Sequence, residues 1–366
     1  MRCTVLCIAL SYAGAAARLI FSLERQLKPS IRFIALAMYA LSISLHAATK
    51  IPLVPLGTTP LPEITGGDFD HFAFDLKHDR LYVSAEVYGS IEVFSLRSGA
   101  HILSARGVVK SPHKLIFVPD SNELFVADAD DASCKILDAT DLHLIKRIAL
   151  EPGPDSGVYD PKSRTFYVGN GGHNAKSEIS YISGISIDQQ RVIYRIPVKA
   201  GTLKTMVIDD KTHRLYVNMR DKQLIGVIDL SSKSLIATWQ VEGLNLNSAM
   251  TLDARHQRLF VGSRKPGKLF ILDTENGDLV SKLDIVDISD DMTYDAPHRR
   301  LYISGADGVD VISQEDPNHY RSIQHADTFG GKTSVYVTSL KRFYVVHTKG
   351  EKAHEAGLQI FAVSHQ

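Results

Sequence analysis

The sequence predicts an all-β fold, a seven-bladed β-propeller of four-stranded antiparallel blades, and three observations carry that prediction. Nearly the same strand recurs seven times, as RLYVS, ELFVA, TFYVG, RLYVN, RLFVG, RLYIS and RFYVV. The aromatic residues of these strands, Tyr82, Phe125, Tyr167, Tyr216, Phe260, Tyr302 and Tyr344, stand 43, 42, 49, 44, 42 and 42 residues apart. A period in the low forties, built on β-branched and aromatic residues, is that of one four-stranded blade per repeat. The third observation concerns the ends of the chain. The last repeat (TSVYVTS, RFYVVH, LQIFAV) runs out one strand short, and KIPLVPL at 50–56 is placed to supply it. The last blade is therefore expected to be closed by the N-terminal strand, which removes two exposed sheet edges.

Residues 1–47 read as an export leader and 48–366 as the propeller. Arg25, Lys28 and Arg32 precede a 13-residue apolar run, Phe33 to Leu45, which leads into SLHAATK at 44–50. Cleavage after Ala47 would leave Ala at −1, and the run falls short of the roughly 20 residues a spanning helix needs. A periplasmic or extracellular protein without a membrane span in its mature chain is expected. Residues 1–24, with a second apolar stretch broken by Arg18, fit either a start further in or a long uncleaved anchor. Cys3 and Cys7 lie in the leader, which leaves Cys134 alone, in the apolar stretch CKIL, as a small core residue. The leader holds five basic residues and one acid, so the rest carries a net charge of −4. General nucleic-acid binding is disfavoured, because phosphate neutralisation needs a basic excess.

Each blade can be read strand by strand. In the first, HFAFD is the inner strand, RLYVS the second, SIEVFSL the third and HILSARGV the outer one. Alternation within each run directs side chains to both faces of the sheet, toward neighbouring blades. Asp75, Asp160, Asp209, Asp253 and Asp295 stand seven before the blade's aromatic residue, and Arg80, Arg214, Arg258, Arg300 and Arg342 two before it. They are expected to face each other across the first hairpin, as turn chemistry plus exposed ion pairs worth roughly 0–1 kcal/mol each. Repetition in blade after blade marks them as scaffold. On the opposite face the loops do not repeat: those leading into the inner strands, and those joining second to third strands, are irregular and polar. Function on a regular scaffold is expected there, at the channel mouth.

Several residues converge on that rim. Asp70, Asp155, Asn247, Asp290 and Asp291 stand where inner strands begin, and such a set can hold a divalent cation such as Ca²⁺, which takes oxygen ligands from scattered loops. Equally, Asp and Asn at these places cap loop N–H groups. The acidic loop ADADDAS lacks the Gly and terminal Glu of an EF-hand. Lys114, Lys204, Arg220, Arg264 and Lys332, with Thr333 beside the last, form a basic constellation suited to a carboxylate or phosphate. His71 and His113, near the starts of the first two inner strands, are candidates for metal ligation or proton transfer.

With these residues in view, the chain resembles the YVTN-repeat, YncE-like family of exported bacterial propellers over about residues 50–366. The resemblance rests on the RLYV-type strands, on FDHFAFD (69–75), PDSGVYD (154–160), NSAMTLD (247–253), SDDMTYD (289–295) and GGKTSVYV (330–337), and on GSRKPGKLFILD (262–273). It implies the propeller fold, while related propellers include lactonases and redox proteins carrying haem or copper. The sequence departs from the family pattern at Asp155-Ser156 (often Asp-Asn), at Thr202-Leu203-Lys204 (often His-Pro-Glu) and at Lys332 (often Arg).

There is no G-x-S-x-G, Cys-x-x-Cys, haem-attachment motif, P-loop or dinucleotide fingerprint, so neither haem nor nucleotide is expected. The leading expectation is an exported, monomeric, non-catalytic binding propeller, whose mouth presents a polar site to a small anion, a metal or a protein partner. The alternative is a metal-assisted, lactonase-like hydrolase in which Asp70, Asp155, Asn247 and Asp290 hold the ion and His71 or His113 moves a proton. A third reading is a surface protein that uses its outer loops alone.

Overall fold

A computed structural model describes residues 51–364. The leader reading of residues 1–47 lies outside the described residues. What is described is seven four-stranded antiparallel sheets, each running inner to outer in chain order except the last. In that sheet Leu53–Leu61 pairs antiparallel with Ala356–Val363, outside Arg342–His347 and Thr333–Val337. The closing strand is thus the N-terminal one, although it lies a few residues later than KIPLVPL and carries a bulge between Pro55 and Gly57. Its first residue is also tied to the neighbouring blade: Leu53 N–H donates to Gln324 Oε1 at 2.7 Å, and Gln324 Nε2 donates back to the Leu53 carbonyl at 2.9 Å.

The recurring strand is the most deeply buried part of every blade. Tyr82, Tyr216, Tyr302 and Tyr344, with Phe125, Phe260 and Phe343, are all sealed from solvent. Seven apolar clusters among the described residues each join two neighbouring blades, and one of them links Leu81 and Phe94 of the first blade to Tyr344 and Leu358 of the last. Burial therefore acts between blades, which gives the ring its cohesion. Three tyrosine hydroxyls add polar staples: Tyr82 donates to the Ala139 carbonyl at 2.8 Å, Tyr216 to Thr274 at 3.2 Å, and Tyr344 to Leu96. Cys134 is buried in the core as expected, with its thiol pushed up to about 12 by burial.

The first hairpin corrects one expectation. Asp75, Asp209, Asp253 and Asp295 do stand opposite Arg80, Arg214, Arg258 and Arg300 in the strand register, as expected, but Asp75, Asp160, Asp209 and Asp253 accept from their own turns rather than from an arginine across the hairpin. Asp75 takes the N–H groups of Lys77 and His78 and the His78 ring, and Asp253 does the same with Arg255 and His256. Asp160 and Asp209 bind Ser163 and Thr212 hydroxyls. An Asp two or three residues before an N–H closes an Asx turn locally, whereas a long Arg side chain is free to reach further. Arg258 goes to Asp273 and the Pro317 carbonyl, and Arg214 to the Thr274 carbonyl. The residue before each second strand (Asp79, Asn122, Arg164, His213, Gln257, Arg299, Lys341) is left-handed, with φ between 49 and 59°, so the same turn is built seven times.

Candidate functional site

Each blade sends one side chain to the channel mouth from a constant position, twelve residues before its aromatic: Asp70, His113, Asp155, Lys204, Ser248, Asp290 and Lys332. Bulges in four of the inner strands break the strict alternation there and turn these residues onto the rim. Around the ring acid and base alternate, interrupted at Ser248. Asp70 Oδ2 accepts from His113 Nδ1 at 2.6 Å, His113 lies 3.9 Å from Asp155, and Asp155 pairs with Lys204. On the other arc Ser248 Oγ donates to Asp290 Oδ1 at 3.4 Å, and Asp290 Oδ2 is 3.3 Å from Lys332 Nζ. Lys332 also pairs with Asp68. Arg264, the last residue of the blade-five strand Arg258–Arg264, reaches in to 3.8 Å from Asp290. The basin these residues enclose has a volume of about 200 Å³.

A second line of groups runs from the mouth into the channel. His71 Nδ1 donates to Asp291 Oδ1 at 3.0 Å, and its Nε2 lies 3.3 Å from Asp70 Oδ1. Beyond Asp70 come His113 and then Glu86, 3.7 Å from His113 Nε2. Carboxylates thus flank both nitrogens of both rings, the surroundings that favour imidazolium. Burial pulls His113 down, yet its hydrogen bond to Asp70 and the charges of Asp70, Asp155 and Glu86 lift it to about 9. His71 is likewise raised: burial and Lys114 oppose its charge, while Asp70 and Asp291 favour it more strongly. Burial works against the Asp70 carboxylate, but the charge of His71 and the hydrogen bond from His113 hold it well below the usual carboxylate range. Asp155 is lowered despite burial by Lys204 and His113. Glu86 moves the other way, raised by burial and by neighbouring acids in spite of His113.

Most of the residues singled out in the sequence come together. His71, His113, Asp70, Asp155, Asp290, Lys204, Arg264 and Lys332 all line the basin. Arg220 stands close enough to feel Arg264, Asp290 and Asp155; burial and the repulsion of Arg264 lower its guanidinium. Four go elsewhere. Asn247 is fully buried beneath the rim, with its amide donating to Asn218 Oδ1 and the Leu224 carbonyl, so Ser248 takes the rim position instead. Thr333 is buried and donates to the Phe69 carbonyl, as scaffold. Asp291 and Lys114 face the channel below the basin. In the acidic loop, Asp128 is consumed by the N–H groups of Lys110 and Ser111 and by Lys135, while Asp131 pairs with Arg147. Sequence reasoning missed Ser248, Asp68 and Glu86. The constant offset from the aromatic marks the first, and Glu86 lies inside the AEVYGS loop already assigned to the rim.

Chemically, the basin is a ring of paired charges. Four carboxylates line it (Asp70, Glu86, Asp155, Asp290) with Lys204, Arg264, Lys332 and the His71 and His113 rings, and Asp68 and Asp291 add carboxylates to Lys332 and His71. For a metal, the strongest donor set is Asp70, Glu86 and His113, whose ligand atoms lie within 4.8 Å of one another. Binding there would have to displace the His113 proton. Asp155 and Asp290 are engaged by ammonium groups, which makes an all-oxygen cage from the expected set a poor fit.

No protein-family model matches the sequence, and no curated protein matches it. Among solved structures the chain is similar to hydrazine synthase from Kuenenia stuttgartiensis, with a TM-score of 0.68 at 14% identity, over 85% of this chain and 98% of that one. At such identity the likeness shows the propeller fold alone. Among the described residues, no helix is long and apolar enough to cross a membrane.

Proposed function

We propose that this protein is an exported, YVTN-type binding propeller whose channel mouth holds a small anion, a carboxylate or oxyanion, against Arg264, Arg220 and Lys332. The observation that carries this reading is the pair of guanidinium groups, Arg264 and Arg220, beside the single carboxylate of Asp290. Arg264 lies 3.8 Å from Asp290, a carboxylate that also meets Lys332 at 3.3 Å, while Lys332 has Asp68 as a second partner; Arg220, lowered by burial and by the charge of Arg264, stands close by. Two guanidinium groups repelling each other in a half-buried basin are stabilised by an incoming anion, which each can bind through a charge-assisted fork. The volume of about 200 Å³ is below the usual span for drug-sized ligands and suits a small ion.

Isothermal titration of inorganic phosphate and of succinate into the full chain at low salt tests this. Saturable binding, weakened about tenfold or more by Arg264→Ala, is expected. Absence of heat with both anions, or affinity indifferent to Arg264→Ala, would overturn it. A second reading, metal-assisted hydrolysis, is favoured by the Asp70–Glu86–His113 set. Elemental analysis of the purified chain, followed by melting with and without chelator, decides that version. Stoichiometric metal lost on Glu86→Ala supports it, and metal-free protein indifferent to chelator removes it.

A further inference from the structure

Beneath the charged ring the channel changes character. Three residues beyond each rim position stands a layer made of Ala, Ile, Val or Thr, including Val158, Val207, Thr251 and Val335. Further down, Phe74, Phe117 and Tyr159 line the same space, which reaches Leu76, Lys77 and Pro119 in and beside the turns that end the inner strands. These turns lie on the face opposite the mouth, and Leu76, Lys77 and Pro119 are exposed. The cavity has a volume of about 750 Å³, within the range of ordinary ligand sites. His71 and Thr205 line both this cavity and the basin above, so the small polar basin enclosed by the ring sits over a larger, more apolar channel.

One group in the upper part of this channel is unmatched. Asp291 and His71, which also line it, are committed: His71 donates to Asp291 Oδ1, the Ser334 N–H donates to Asp291 Oδ2, and the other His71 nitrogen faces Asp70. The Lys114 side chain lines the same end, and its ammonium makes no ion pair or side-chain hydrogen bond among the described residues. It is close enough to His71 to oppose protonation of the imidazole. A half-buried ammonium without an ion-pair partner, beside the His71 ring and at the head of an apolar channel, is placed to receive a counter-charge.

We propose that this channel is a second binding site, distinct from the mouth, for a single-chain amphiphilic carboxylate. Its tail lies among Phe74, Phe117, Tyr159 and the valine layer, and its carboxylate meets Lys114. The ligand enters from the face opposite the mouth, tail trailing. The complementarity is twofold: an apolar wall for the tail, and at its upper end a half-buried, unpaired cation for the head, whereas Lys77 at the opposite opening is exposed to solvent.

Titration of the full chain with decanoate below its micelle-forming concentration tests the proposal, with decanol and acetate as single-feature controls. Saturable one-to-one binding is expected, at least tenfold tighter than either control. Lys114→Gln should weaken decanoate about tenfold or more while leaving decanol unchanged. Val207→Trp should abolish binding by filling the channel; Thr251→Trp is the substitute obstruction if that variant fails to fold by circular dichroism. Arg264→Ala should leave decanoate binding intact, so failure here and failure of the mouth reading are separable. Non-saturable uptake, decanol binding as well as decanoate, unchanged affinity in folded Lys114→Gln, or loss through Arg264→Ala would each overturn it.

Discussion

His113 is held by carboxylates on both sides, Asp70 at 2.6 Å and Glu86 at 3.7 Å, with a side chain only 10% exposed. Its folded value of about 9 lies above the 6.5 of an unperturbed histidine. A proton bound more tightly in the folded state stabilises that state. The contribution is full below about pH 6.5, declines as pH rises, and is gone above about 9. Urea unfolding between pH 6 and 9.5 should show a loss of roughly 2–3 kcal/mol across that window, largely removed in His113→Gln. Equal slopes in the two proteins would sink the assignment. At this scale the site was partly legible. Charged residues at strand starts could be nominated from their types alone, but Asn247 and Ser248 are adjacent, and residue type does not say which one reaches the rim; the offset from the aromatic and the bulge do. Which acid meets which base depends on neighbours from other blades, information that no single segment carries.

Strands were legible in proportion to their burial. The second strand of each blade, sealed on both faces, had to be β-branched and aromatic, and so announced the period. Outer strands such as Leu144–Ala149 are exposed at nearly every position, so selection for burial leaves little pattern in them. The closing strand has the same weakness, which accounts for its displacement from 50–56 to Leu53–Leu61. Leu53 is its anchor, 1% exposed and packed with Phe361, Phe343 and Val363. Leu53→Ala should lower stability by about 2–4 kcal/mol with an unchanged denaturant slope. A cost below about 0.5 kcal/mol would show that the strand does not seal the ring.

Across the whole molecule, cohesion resides in the interfaces between blades, so the ring is expected to unfold in one transition. Removing residues 51–61 would expose the edge formed by Ala356–Val363. The expected outcome is a lower, broader melt with concentration-dependent association through the open edge. A melt matching that of the full chain would show that closure adds nothing. The tyrosine staples act on the same joints: Tyr82→Phe removes the bond to Ala139, should cost about 1 kcal/mol, and can be read from the same urea curves.

Seven is an odd number, and an odd circle cannot be coloured with two signs without a fault. Starting from Asp70 and alternating, the blades must at some point place like charges side by side or insert a neutral residue. Here that place is Ser248, between Lys204 and Asp290. A propeller with six or eight blades could close its rim as a perfect, self-neutralising circuit and offer a ligand nothing to complete. Parity alone denies this one that option. Arg264, from the blade that bears the serine, reaches in at the seam where the symmetry had to fail.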